Sequence, residues 1–281
     1  MPDLPLGAVI ALDFKTWDVR DEIALLHQVG VGRVQIYRNY VQGLTARRVR
    51  ETLEAAGLVA DSLHGYFQAD DLPGPPCDLS SADPAGRWTS LDLMRGEAEF
   101  ARRLGCRDII IHPIGTGSTP GDAWRAAALA ESADELARIG EAMDVRFLVE
   151  NMPPPYFGSD ARPLRRIADG LASPRLGLAY DSGHAMLVGD PVGLVRLFGP
   201  RLGGVHLHDN FGKQDDHLIP GMGSIPFEDV ARALAEVGYG GTFMIEVYRP
   251  TDEVRRDLTP ERLAFIDRLR RLASGQPSCS A

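Results

Sequence analysis

His64, His112, Glu150, Asp181, His184, His206, His208 and Glu246 each stand at or just past the end of a short apolar run. Imidazoles mixed with carboxylates are the ligands that a hard or borderline divalent cation takes, so these residue types could build a site for Mn²⁺, Co²⁺, Mg²⁺ or Zn²⁺. Such a site supports two kinds of chemistry. A cation that polarises a carbonyl and its neighbouring hydroxyl lets a nearby carboxylate remove the acidic C–H proton, and a cation that acidifies water drives hydrolysis. The residues are too scattered along the chain to form a local motif, so the fold must collect them from the ends of separate elements.

Short β-rich runs alternate with longer helical patterns in eight cycles. The sequence predicts strands at 8–13, 33–37, 59–64, 108–112, 146–150, 176–181, 204–208 and 242–247. Apolar positions at helical spacing mark 18–29, 46–56, 90–104, 123–143, 226–237 and 260–273. Several of these end in glycine, as in HQVG, EAAG, RRLG and AEVG, which suits a left-handed cap before the next strand. Strict alternation implies a parallel sheet, and eight cycles imply an α/β fold of the (β/α)8 TIM barrel type. One barrel over residues 1–273 and a disordered tail over 274–281 are expected. In a barrel all C-terminal strand ends share one face, so Glu150, Asp181, His206 and Glu246, which end or nearly end strands five to eight, would converge there. A doubly wound open sheet would carry GxGxxG after its first strand, where this chain has none. The nearest approach, Gly115 to Gly121, has the wrong spacing and reads as a loop. The segment 68–87, rich in Pro, Asp and Gly, reads as a long loop that shapes a pocket.

With 281 residues and 44% hydrophobic content, the chain can bury the core of one barrel. Its formal net charge of −9 disfavours a nucleic-acid partner, because gripping phosphates takes clustered Lys and Arg rather than surplus Asp and Glu. Cys77, Cys106 and Cys279 make no CxxC pair and cannot all be bridged within one chain, a usage that suits a reducing cytoplasm. The opening residues MPDLPLGAVIALDF lack a basic leader, and no run approaches the roughly 20 apolar residues of a membrane span. No membrane partner is expected, and assembly into a homo-oligomer is left open.

Five stretches carry a resemblance to a known family. They are Val149-Glu150-Asn151, Tyr180-Asp181-Ser182-Gly183-His184-Ala185, Val205-His206-Leu207-His208-Asp209-Asn210, Asp215-Asp216-His217-Leu218-Ile219-Pro220-Gly221-Met222-Gly223 and Ile245-Glu246. In order and spacing they resemble the xylose isomerase-like TIM barrel superfamily of sugar isomerases and epimerases, to which endonuclease IV also belongs. The resemblance runs from the first strand to Glu246. It implies one divalent ion held by Glu150, Asp181, His206 and Glu246, with both glutamates also serving as acid and base, and with His184 contacting the substrate. The chain departs from that pattern in carrying more ligands than one ion needs. Endonuclease IV uses three zinc ions, and its ligands have counterparts in His64, His112, Glu150, Asp181, His184, His206, Asp215, His217 and Glu246. That enzyme carries asparagine where His208 stands and glutamate where Met222 lies, and both departures count against the nuclease assignment.

Other residues have a functional and a structural reading. His208, two residues after His206, would point the same way along a strand and could contact substrate or support a ligand, with plain packing as the alternative. Arg38 and Arg249 follow strands two and eight, where a guanidinium could grip a substrate phosphate or carboxylate or else form a solvated salt bridge. Tyr66 and Phe67 could stack on a sugar or pack a lid. Cys106, without a base beside it, reads as a small buried hydrophobe.

The expected activity is divalent-metal-dependent isomerisation or epimerisation of a small sugar, sugar phosphate or related polyol carbonyl compound by enediolate-type proton transfer. The alternatives are a multi-zinc phosphodiester hydrolase acting on abasic DNA and a non-catalytic, metal-dependent binding protein.

Overall fold

The computed structural model describes residues 3–11, 19–37, 44–67, 74–114 and 123–276. Its strands are β1 Leu6–Ala11, β2 Arg33–Tyr37, β3 Val59–His64, β4 Asp108–Ile111, β5 Arg146–Glu150, β6 Leu176–Asp181, β7 Leu202–His206 and β8 Phe243–Ile245. The order is β7-β6-β5-β4-β3-β2-β1-β8, and the paired strands are parallel. Leu207 bridges Ile245 in parallel, its N–H donating to the Met244 carbonyl at 2.9 Å, and this closes the row into a cylinder. The helices are α1 Arg20–Gln28, α2 Ala46–Ala55, α3 Pro84–Leu104, α4 Ala123–Met143, α5 Arg162–Gly170, α6 Ser182–Val188, α7 Pro191–Phe198, α8 Phe227–Glu236, α9 Thr251–Asp257 and α10 Pro260–Ala273.

The two-residue period of the strands sorts their side chains into two environments. Ile109, Ile111, Phe147, Val149, Leu178 and Tyr180 face outward into the main core beneath the helices, while Ile110, Leu148 and Ala179 form a separate cluster inside the barrel. Counting two residues onward from that inner cluster reaches Glu150 and Asp181, so the period that buries the apolar residues also aims the acidic ones at the C-terminal mouth.

Several boundaries differ from the sequence reading. The helix α3 begins at Pro84 rather than 90, because Asp83 caps it by accepting from the Ala85 and Gly86 N–H groups and Pro84 fits the first turn. The expected 68–87 loop is shorter for that reason, and 68–73 lie outside the described residues. The helices α5, α6, α7 and α9 were not foreseen. Of the tail expected to be disordered, Ser274 to Gln276 instead finish α10: Ser274 is buried and its hydroxyl donates to the Arg271 carbonyl at 2.7 Å, and Gly275 adopts φ 76°. Residues 277–281, Cys279 among them, lie outside the described residues, as do Arg38 and the glycine-rich stretch from Gly115 to Gly121. No helix among the described residues is long and apolar enough to cross a membrane.

Candidate metal centre

Each residue of the candidate quartet reaches the mouth by a local device. Glu150 ends β5, and Asp181 ends β6 while acting as the N-cap of α6, its Oδ1 accepting from the His184 N–H at 2.7 Å. That cap fixes His184 beside it. His206 ends β7, and Glu246 follows β8 with its N–H donating to the Leu207 carbonyl at 3.1 Å. His208, two residues past the end of β7, is fully buried, with Nε2 at 3.0 and 3.1 Å from the two Asp181 oxygens. Its packing requires glycine at position 183 in α6, since a Cβ on Gly183 would stand 2.0 Å from His208 Cε1.

One donor atom from each of Glu150, Asp181, His206 and Glu246 lies within 4.8 Å of the others, and all four residues are buried. His206 Nδ1 is 3.2 Å from Glu150 Oε1 and 3.3 Å from Glu246 Oε2. Two donors each about 2.0–2.2 Å from one ion leave similar gaps between themselves.

Two further groups adjoin this quartet. His64 Nε2 and His112 Nε2 stand 3.8 and 3.5 Å from Glu150 Oε2, and on the other side His184 Nε2 and His217 Nε2 are each 3.2 Å from Asp215 Oδ2. His208 and His217 come near Glu246 as well, but their rings stack 3.9 Å apart and 17° from parallel. Their in-plane lone pairs therefore run side by side instead of meeting at one ion.

Glu150 Oε2 is buried without a hydrogen-bond partner. His64 Nδ1 lies 2.9 Å from the Gly65 carbonyl, which can only accept, so that nitrogen carries the proton and Nε2 presents a lone pair. Burial, then His112, depresses the His64 pKa to about 3, so the ring is neutral. A lone pair thus faces an unpartnered carboxylate oxygen in a buried pocket, an arrangement that a cation would resolve and that costs free energy without one. The residues fit a divalent ion.

Electrostatics divides the site. Burial alone would raise Glu150, but His206 and His112 outweigh it and hold the carboxyl well below its usual range. Burial would lower His206, but Glu246 and Glu150 prevail and raise its pKa to about 9. His184 is driven well above its ordinary value against burial, chiefly by Asp181 and Asp215. Asp215 is lowered against burial by its hydrogen bonds with His184 and His217.

The loop carrying Asp215 and His217 hangs on Asp209. That carboxylate accepts from the N–H groups of Asn210, Gly221, Gly223 and Ile225 at 2.8 to 3.1 Å, and Asp209 also pairs with Leu218 in an antiparallel bridge. His217 sits at φ 45°, a left-handed conformation that side chains rarely adopt and that the surrounding contacts must impose.

Some site residues were not anticipated. Gln35, buried in mid-strand β2, lies with Oε1 2.8 Å from His206 Nε2. Tyr248 donates its hydroxyl to Glu246 Oε1 at 2.9 Å, and Asn151 accepts the Asp181 N–H at 2.8 Å while donating to the Asp181 carbonyl. Tyr248 has a faint signal in its two-residue spacing from Glu246; a single amide inside a strand has none. Phe67 stacks on His112 at 4.6 Å, forming an aromatic wall with Tyr37 and His64. Arg249 does not join the site: it pairs with Asp257 at 2.6 Å and Glu253 at 3.0 Å. Of the described cysteines, Cys77 and Cys106 are buried thiols in no disulfide, and burial pushes both up to about 12.

A sequence profile described as xylose isomerase-like TIM barrel matches residues 23–269. An uncharacterized protein of Methanocaldococcus jannaschii is 30% identical over 208 residues, covering 69% of each chain. Fructoselysine 3-epimerase of Escherichia coli O157:H7 is 26% identical over 180 residues, covering 62% of this chain and 64% of its own. Among solved structures, a D-tagatose 3-epimerase-like protein superposes with TM-score 0.76 at 22% identity over 94% of this chain and 98% of its own. D-psicose 3-epimerase of Clostridium cellulolyticum H10 does so with TM-score 0.72 at 18% identity over 97% of both. At such identities these structures share the fold. The match over most of the chain, together with the barrel and its gathered strand ends, settles the lineage: the chain belongs to the xylose isomerase-like TIM barrel family.

Proposed function

We propose that the chain is a divalent-metal-dependent isomerase or epimerase of a small sugar or related polyol carbonyl compound. The observation that carries this reading is the buried quartet of Glu150, Asp181, His206 and Glu246, with Glu150 and Glu246 reaching His206 Nδ1 from two different strands. A bound Mn²⁺, Co²⁺, Mg²⁺ or Zn²⁺ would polarise a carbonyl and its adjacent hydroxyl, acidifying the C–H between them. Glu150 and Glu246 would hold the ion and exchange the proton, one as base and one as acid; Asp181 and His206 would serve as ligands alone. His184, steered by the cap at Asp181, would orient a substrate hydroxyl, while Tyr248 would hold Glu246 in its working rotamer. The names of the similar proteins, a fructoselysine 3-epimerase and D-psicose and D-tagatose 3-epimerase types, support sugars as the substrate class. A reducing cytoplasm suits the buried thiols of Cys77 and Cys106.

A second reading rests on the flanking groups. His64 and His112 around Glu150, and His184 and His217 around Asp215, extend the quartet to every counterpart of the multi-zinc set, which would suit phosphodiester hydrolysis. The net charge of −9 weighs against DNA as its substrate.

Chain stripped by chelation and reloaded with each metal in turn should move deuterium from D₂O into the carbon next to the carbonyl of a ketose such as fructose, tagatose, psicose or fructoselysine. Wash-in under no metal, together with cleavage of an abasic duplex by zinc-loaded protein, would replace the first reading with the second. Metal binding with neither activity would leave a binding protein.

A further inference from the structure

Gln35 occupies the middle of β2 between Val34 and Ile36, which pack outward, so its own side chain enters the barrel one layer beneath the quartet. Its Oε1 lies 2.8 Å from His206 Nε2, and its Nε2 donates to the Ser62 hydroxyl at 2.9 Å. Below this layer Leu148 and Ile110 fill the space beside Gly203 and Gly204 of β7, and a pocket of about 730 Å³ at the N-terminal end of the barrel has Gln35 and Ser62 in its lining. The two ends of an amide are nearly the same size, so hydrogen bonding rather than packing must decide which end meets His206.

The two nitrogens of His206 have different neighbours. Nδ1 faces Glu150 and Glu246, and a nitrogen that ligates a cation carries no proton. The neutral ring then keeps its proton on Nε2, which needs an acceptor. The amide oxygen is one. Turned over, the amide would offer N–H to N–H, and the proton would move to Nδ1, where it blocks ligation. We infer that Gln35, steadied by Ser62, is a positioning residue that fixes the tautomer of His206 and so keeps its Nδ1 lone pair turned toward the cation. The inference rests on the cation site proposed above and says what sets that site from beneath.

The test is titration of metal-free full-length chain with Mn²⁺ by calorimetry, comparing wild type with Gln35→Leu, Gln35→Glu and Ser62→Ala. Gln35→Leu should bind about 10- to 100-fold more weakly, as loss of a residue behind a ligand typically does. Gln35→Glu, which still accepts from Nε2–H, should bind within about fivefold of wild type on the same scale, and Ser62→Ala should fall between. Long-range ¹H–¹⁵N spectra of the zinc-loaded proteins should place the His206 proton on Nε2 in wild type and Gln35→Glu, and in Gln35→Leu should show a second population with the proton on Nδ1 and that nitrogen unligated. If Gln35→Leu lacks the native circular-dichroism spectrum, Gln35→Met takes its place. An apolar variant that binds Mn²⁺ as tightly as wild type, with an unchanged tautomer, overturns the inference while leaving the cation site standing. Wild type that binds no divalent ion overturns the site itself.

Discussion

The phenol of Tyr248 donates to Oε1 of Glu246 at 2.9 Å, so the carboxylate that follows β8 presents its other oxygen to His206 Nδ1 at 3.3 Å. Tyr248 leaves part of its ring at the surface but sends its hydroxyl inward, where burial and then Glu246 push its pKa well above the ordinary value, so it stays a donor. Tyr248→Phe is predicted to lower kcat about tenfold, the equivalent of one hydrogen bond to a charged group. Steady-state kinetics with a matched thermal melt would check it; an unchanged kcat would show that Glu246 holds its rotamer without help.

Glu246→Gln keeps the shape of the side chain and removes the charge. Turnover should drop by about 10²–10⁴-fold, the usual weight of a general acid or base, while the barrel remains folded. Solvent deuterium exchange measures the first and circular dichroism the second, and exchange at the wild-type rate would remove Glu246 from the chemistry.

Protons and the proposed cation would compete for this site. With His206 raised from 6.5 to about 9, a cation arriving at pH 7 must displace a proton, so apparent Mn²⁺ affinity should weaken by about tenfold per pH unit on acidification below pH 9. In metal-free protein the sign follows from linkage. The stability contributed by protonated His206 is fully present below its ordinary 6.5 and is lost as pH rises through about 9. His64, lowered to about 3, acts oppositely: its contribution is present above 6.5 and is lost as pH falls toward 3. His184 and His217 are raised as well, so the metal-free melting temperature should decline from pH 6.5 to 9 while the loaded protein holds steady. Calorimetric scans across that window would decide, and parallel curves would contradict the prediction.

Replacing a helix glycine by alanine ordinarily adds about 1 kcal/mol of stability. At Gly183 the new Cβ would meet His208 Cε1 at 2.0 Å, and overpacking of a filled interior costs about 1–3 kcal/mol. Gly183→Ala is therefore predicted to destabilise the fold and to weaken Mn²⁺ binding, since His208 must leave Asp181. Urea unfolding of the variant gives the sign directly.

Asp209→Ala removes the acceptor for backbone N–H groups spread from Asn210 to Ile225. A loss of about 3 kcal/mol or more is expected, because four backbone donors lose their acceptor at once. Amide hydrogen exchange at Gly221, Gly223 and Ile225 should accelerate, and unchanged protection there would mean the loop is held by other contacts.

Much of the barrel was readable because short apolar runs and helical periods alternate eight times. DIII and RFLVE are apolar on both faces, as strands of a closed parallel barrel are, and the polar residue that ends such a run marks the mouth. What escaped has physical reasons. The helix α6 spans seven residues started by the Asp181 cap, too short for a helical period to emerge beside the motif that contains it. The Asp83-Pro84 start of α3 was hidden inside a stretch whose composition reads as loop. Gln35 is one polar side chain in an apolar strand, and only the closing of the cylinder shows that it faces His206. Arg249 stood at the right strand end, but the acidic residues of α9 claim it first.

The carboxylates of the quartet do not all arrive with both oxygens at liberty. Asp181 Oδ1 is taken by the His184 N–H, and Glu246 Oε1 by Tyr248. Calcium surrounds itself with roughly six to eight oxygens and often chelates a carboxylate through both. A pocket that offers single oxygens beside an imidazole is poorly suited to it. At the proposed metal centre the same hydrogen bonds that shape the side chains would therefore act as a filter, turning away calcium in favour of smaller ions that accept nitrogen.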